Sequence, residues 1–212
     1  MAKVYLKSIA IRGNGKVGNI PITNLEPVAT CPGAKKEDGT FRKTCLDCYA
    51  IKTMKFRKNA RKKWSNASAQ DEIDELANLK TNKPVRLHGA GDFIDQEHLD
   101  GVSVSMEDKR GWYYTRSFHV GVTAKGTDNM QEFASIDEDE DVAIARAKGY
   151  NRLARVVEKK EWEDGGKKKL VVLNNENYVV CPEQLKTKAS CESCGFCFNK
   201  PGKVGNVAFI KH

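Results

Sequence analysis

Apolar residues recur along this chain with two spacings, and the switches between them mark out its elements. Alternation through Val4, Leu6, Ile9 and Ile11 predicts an opening strand over residues 3–11. Gly13-Asn14-Gly15 breaks it, and Pro21, Pro27 and Pro32 keep the next stretch extended and loop-like. Residues 43 to about 64 hold neither Gly nor Pro and read as one helix, whose first turn carries Cys45 and Cys48 on one face. Ser68-Ala69-Gln70-Asp71 is a capping signal for a second helix, with Ile73, Leu76 and Ala77 inward and an end at residues 82–84. Residues 85–88 read as a short buried strand, and Gly89-Ala90-Gly91-Asp92 as the loop at its carboxyl end. Leu99, Val102 and Met106 then fall at helical spacing, and residues 112–115 form a strand that ends at Arg116-Ser117.

Further on, residues 132–134 suit a strand, and Ser135 with Glu138 suits a capping box for a helix that Gly149 closes. The acids from Asp137 to Asp141 complement the positive end of that helix and read as structural rather than as an ion site. Strands follow at residues 152–157, 170–173, 178–180 and 204–210, with a polar loop over 158–169. Strand–helix alternation through residue 157 predicts α/β units around a mostly parallel sheet. Five or six units suit a compact or incomplete (β/α) barrel over residues 1–180, with a cysteine-rich segment, residues 181–212, packed on it and integrated into the same domain. Working loops lie at the carboxyl ends of such strands, so the first cysteine loop, residues 88–92 and Arg116-Ser117 should converge on one edge.

The seven cysteines sharpen this picture. Cys31, Cys45 and Cys48 form a front group, and Cys181, Cys191, Cys194 and Cys197 a rear group. The chain shows no secretory signal and no apolar run that could span a bilayer, which points to a reducing compartment and to cysteines that hold metal rather than pair. Cys191-x2-Cys194-x2-Cys197 with a remote Cys181-Pro182 matches the ligand set of a [4Fe–4S] cluster. The competing reading is a closed, structural four-cysteine zinc site. The front group offers three thiolates, which would leave one iron of a second cube open to a substrate or cofactor. A single cluster shared between the groups remains an alternative.

The ending Cys45-x2-Cys48-Tyr49-Ala50 at a helix start resembles the radical S-adenosylmethionine superfamily. That superfamily places a small glycine-plus-acid motif after its second barrel strand, where this chain has Gly89, Gly91 and Asp92, which makes those three cofactor-binding candidates. The first spacing departs from the superfamily, with thirteen residues between Cys31 and Cys45. No later glycine-rich adenosine-binding motif stands out, so the likeness implies a cluster more directly than it implies S-adenosylmethionine. The ordered series Thr30-Cys31-Pro32-Gly33, Cys45-x2-Cys48-Tyr49-Ala50, Arg86-Leu87-His88-Gly89-Ala90-Gly91-Asp92-Phe93, Tyr113-Tyr114-Thr115-Arg116-Ser117, Cys181-Pro182-Glu183-Gln184 and the Cys191 triplet is similar to a tailed-phage family described as gene product 88. The resemblance implies a viral protein made in the host cytoplasm, with a radical-enzyme-like barrel and no assigned reaction.

Charge adds a second possibility. The chain carries a formal net charge of +8, enough to attract nucleic acid without requiring it. Lys52, Lys55, Arg57, Lys58, Arg61, Lys62 and Lys63 crowd one stretch, interleaved with Met54, Phe56 and Trp64. Such a stripe suits a phosphate backbone; the bland reading is a solvated helix face with the aromatics packed inward. His88 and Asp92 could bind substrate or move protons, or hold the loop around the front group. Arg86 and Arg116 could bind an anion or pair with acids, while His98 and His119 belong to no sequence constellation. Two functions follow: an iron–sulfur protein with an open site, or a non-enzymatic module that binds nucleic acid or a host protein and uses its metal for folding.

Overall fold

The computed structural model describes residues 6–173, 175–188, 190–198 and 205–211. Its strands are β1 (Ile9–Ala10), β2 (Ile22–Asn24), β3 (Val85–Ala90), β4 (Gly111–Thr115), β5 (Met130–Ile136), β6 (Arg152–Val157), β7 (Leu170–Leu173), β8 (Glu176–Val180) and β9 (Asn206–Ile210). They join in one nine-stranded sheet of order β1-β2-β3-β4-β5-β6-β9-β8-β7. Pairing is parallel from β2 to β8, and the two edge strands run antiparallel to their neighbours. The mostly parallel α/β sheet matches the sequence reading. A barrel does not appear: among the described residues no pairing joins β1 to β7.

Period-two alternation gives the sheet two different faces. Val85, Leu87, Tyr113, Ala134, Leu153 and Ala208 point into the main apolar core. Helices α4 (Ala69–Asn78), α5 (Gln96–Ser105) and α6 (Glu140–Ala147) contribute Leu76, Leu99 and Ala145 to that core. The intervening Arg86, Trp112, Tyr114, Ala154 and Phe209 face the other way and line a cavity.

Several elements differ from expectation. The opening strand keeps only Ile9–Ala10, its first residues lying outside the described ones, and β2 falls inside the proline-rich stretch read as loop. The long basic helix is three: α1 (Lys43–Leu46), α2 (Tyr49–Phe56) and α3 (Lys58–Trp64). Cys48 (ψ 115°) and Arg57 (ψ 90°) leave the helical region, so Cys45 and Cys48 do not share a helix, although Cys48 N donates to the Cys45 carbonyl (3.4 Å). Like charges four apart, Arg57 with Arg61 and Lys58 with Lys62, weaken a continuous helix there.

The Ser68–Asp71 capping box forms as read, but its helix stops at Asn78. Ser135 caps nothing because it lies in β5; instead the Asp141 carboxylate accepts the N–H groups of Asp137 (2.9 Å) and Glu138 (3.0 Å). Residues 159–164 form a short helix, α7, in place of a loop. Trp162 holds it by packing on the core and donating its indole N–H to the Lys168 carbonyl (2.8 Å).

The C-terminal segment is built into the sheet, with β9 seated between β6 and β8. On its way there the chain forms α8 (Cys191–Cys194), which reaches back to residues before β2. Cys191 N donates to the Lys16 carbonyl (2.8 Å), and the Glu192 carboxylate accepts from Asn19 N (2.9 Å) and pairs with Lys83 (3.2 Å). No described helix is long and apolar enough to cross a membrane.

Candidate metal and ligand cavity

Six of the seven thiols line one cavity of about 520 Å³ on the sheet face opposite α4, α5 and α6: Cys31, Cys45, Cys48, Cys181, Cys191 and Cys197. All seven cysteines are free. They remain two groups within this space. Burial and nearby Asp92 push the Cys31 thiol up to about 12, and Cys45 and Cys48 add to the effect. Cys197 is likewise pushed up to about 12 by burial, against a hydrogen bond from Tyr114, with Cys181, Cys191 and Cys194 adding like charge. Thiols so crowded and dehydrated hold their protons unless a cation replaces them. The donor set thus fits a thiophilic ion or cluster.

The front group sits at the carboxyl ends of the strands, where sequence topology placed it. Asp92 is its hub: its carboxylate accepts from Phe93 N (2.8 Å), Thr115 Oγ1 (2.6 Å) and Arg116 N (2.8 Å), while its own N–H donates to the Thr30 carbonyl beside Cys31 (3.1 Å). Two glycines close this corner. Gly91 has φ +84°, and a Cβ there would stand 2.7 Å from both Leu25 and Thr30. At Gly33, just after Cys31, a Cβ would lie 2.2 Å from the Arg116 carbonyl oxygen. Gly89 is similarly pressed, 2.5 Å from Ile22, so close packing accounts for these glycines by itself.

Cys45 is positioned through its neighbour. Thr44 Oγ1 donates to Asp137 Oδ1 (2.6 Å), and Arg116 pairs with the same oxygen at 2.9 Å. Arg116 therefore serves an acid on its own edge while lying close enough to Cys45 to favour its thiolate against the cost of burial. Tyr49, next to Cys48, donates its hydroxyl to the Gly89 carbonyl and ties α2 to β3.

The rear group has apolar surroundings. Ser190 and Ser193 form a capping box on α8, and Gly195 (φ +68°) turns the chain back so that Cys197 meets the sheet. Tyr114 Oη donates to Cys197 Sγ (3.0 Å), and Phe198 lies on Trp112 with ring centroids 5.1 Å apart. Cys181 is buried with Phe133, Ala154 and Val207 and is anchored by its N–H on the Ala208 carbonyl (2.8 Å). Arg86 lies between the groups, feeling Tyr49 on one side and Cys191 and Cys197 on the other, with its Nε buried and unpartnered.

Beneath the cavity wall is a cluster that the sequence reading missed in part. Glu72 Oε2 meets His88 Nε2 at 3.0 Å and His98 Nε2 at 2.9 Å, all three side chains being fully or almost fully buried. Their ligand atoms lie within 4.8 Å of one another, a spacing able to hold a metal ion. Hydrogen bonding meets the same need: His98 Nδ1 accepts from Ile94 N (3.3 Å), which puts the ring proton on Nε2, facing Glu72. Burial opposes charge on this pair, yet the two histidines hold Glu72 well below the usual carboxylate range, and Glu72 raises His88. His88 also has φ +52° in β3, a strained conformation for a residue with a side chain.

His98 is thus a member of a constellation, and so is His119. The His119 ring lies 3.3 Å from Asp141, which also pairs with Arg42 (3.7 Å) behind the Cys31 turn. The signal for Glu72 was present: it occupies the apolar stripe of α4, four residues before Leu76, where a lone acid demands a buried partner. The basic residues Lys55, Arg57, Lys58, Arg61 and Lys62 face solvent, Lys63 is half-buried, and His212 lies outside the described residues.

These features define a mixed α/β protein with a predominantly parallel sheet and two cysteine groups opening on one cavity. The gene product 88 family model matches residues 6–200, and the chain belongs to that family of phage proteins. No curated protein and no solved structure matches the chain.

Proposed function

We propose that this chain is an iron–sulfur protein. In this reading Cys31, Cys45 and Cys48 hold a [4Fe–4S] cluster with one open iron, and Cys181, Cys191, Cys194 and Cys197 hold a second cluster or a zinc ion. The observation that carries the reading is the convergence of six free thiols, in two groups, on a single cavity of about 520 Å³. Three features favour an incomplete barrel of the radical-enzyme kind. Helices α4, α5 and α6 cover one sheet face and the cavity lies on the other, the front cysteine loop follows β2, and α8 crosses back to residues 16–19. When bound, an open iron supplies electron transfer or Lewis acidity. Asp92 and the Thr44–Asp137–Arg116 chain orient the front loop, and Arg86 supplies positive charge between the groups. An open site would suit a small-molecule substrate, and the family of phage proteins favours the host cytoplasm.

Anaerobic purification with iron, sulfide and zinc analysis tests this. Two cubes predict about eight irons and eight sulfides per chain, and one cube with zinc predicts about four irons. Zinc without iron would overturn the proposal and leave a structural metal module.

A further inference from the structure

We infer that helices α2 and α3 form a binding face for single-stranded nucleic acid, independent of whatever the cysteines hold. From Cys48 to Gln70 the chain has no acidic residue, and Lys52, Lys55, Arg57, Lys58, Arg61 and Lys62 are all exposed. Within this positive field stands Phe56, 84% exposed, between Lys55 and Arg57. A phenylalanine in that position has none of the inward packing that a merely solvated helix face would give it. The two helices are separated at Arg57, whose extended backbone places Phe56 at the end of α2 and starts a new run of cations on α3.

The chemistry favours an unpaired strand over other polyanions. A long row of cations neutralises a regular row of phosphates, and an exposed ring offers a stacking platform, which an unpaired base can use and a base in a duplex cannot. An anionic membrane would call for a continuous apolar strip. Here Ile51 and Met54 are half-buried and Phe56 is the large apolar side chain exposed on α2 beyond its first residue. At 1.5 Å per residue α2 and α3 are about 12 and 10 Å long, enough for each to meet more than one phosphate. The first turn of α2 lines the cavity through Tyr49, Ala50 and Ile51, so a strand on this face runs toward the mouth between the cysteine groups.

Fluorescence anisotropy of the anaerobically purified full chain with a labelled oligodeoxythymidine of about twenty nucleotides provides the test. We expect binding whose logarithm falls with the logarithm of salt with a slope of about −3.5, for five phosphates neutralised on a single strand. Phe56→Ala should weaken binding about tenfold with the slope unchanged. Lys58→Glu/Lys62→Glu should weaken it further and flatten the slope by at least about 1. The same charge change at the exposed Lys168 and Lys169, Lys168→Glu/Lys169→Glu, should leave binding within about twofold of the parent. The inference is overturned if the oligonucleotide does not bind at low salt, or if the Lys168/Lys169 variant loses as much as the Lys58/Lys62 variant. It is overturned equally if Phe56→Ala is without effect, or if phosphatidylserine vesicles are bound and the oligonucleotide is not.

Discussion

The two cysteine groups share a cavity but are built from opposite materials. Around the front group run charged and hydrogen-bonded chains: Asp92 on three donors, Thr44 and Arg116 on Asp137, Arg42 and His119 around Asp141. Around the rear group lie Trp112, Phe198, Phe133 and Phe209, with one phenol hydrogen bond. Polar scaffolding fixes the direction of ligands while leaving a mouth open, whereas apolar packing encloses them and ties their occupancy to the stability of the core. In the proposed reading the two groups would then serve different ends, the front thiols access and the rear thiols architecture.

That contrast can be broken most decisively by removing one thiol from each side. Cys197→Ala should lose the rear metal and, with it, about 4 kcal/mol of stability for an ion present at a thousandfold its dissociation constant. Cys45→Ala should lose the front metal alone, with a much smaller change in denaturant midpoint. Loss of all metal from either single variant would show one shared centre and dissolve the comparison.

Acid should act on the front region next. Burial, with Arg42 and Arg116 nearby, holds His119 down at about 4, below the ordinary 6.5 of the unfolded chain. The unfolded state therefore binds the extra proton between those values, and stability falls as pH drops from about 6.5 to 4. Urea midpoints across that range should slope less in His119→Gln; an unchanged slope would remove this histidine from the account.

Asp92→Asn keeps the shape but gives up the charge on three hydrogen bonds. We expect a loss of about 2–3 kcal/mol and faster proteolysis between Cys31 and Cys48, with rear metal content intact. The smallest effect belongs to Tyr114→Phe, which removes one donor from Cys197 for about 1 kcal/mol. Its absorption spectrum should shift only in the bands of the rear centre, and a change in front-site iron instead would place the two groups in one unit.

Much of this arrangement was legible before any coordinates. The Ser68–Asp71 box, the strand at 152–157 and the convergence of Cys31, Asp92 and Arg116 follow from local patterns and from the rule that loops gather at strand carboxyl ends. What escaped was decided at long range. The division of the basic helix depends on how α1 is tied to Asp137 and α2 to Gly89, neither visible in helical propensity. Ser135 and Glu138 have capping-box spacing, yet β5 claims Ser135 by pairing with β6. His98 gained its role only when α4 and α5 packed together and brought Glu72 within 2.9 Å. The open sheet went unread for a related reason: unit counting gives the number of strands but not whether the edges meet.

The position of β9 has a consequence for the order of assembly. It pairs with β6 on one side and β8 on the other, so among the described residues the β7–β8 hairpin joins the rest of the sheet through a strand that follows all the others in sequence. All four rear thiols lie between β7 and β9 in sequence, on the connection that must close before the hairpin is held. A nascent chain thus waits with its rear ligands gathered on an undocked crossover, and closing so distant a contact is slow. If those thiols take up metal as proposed, its supply at that moment would govern how much protein reaches the finished sheet, and a shortage should be read first in yield and only later in function.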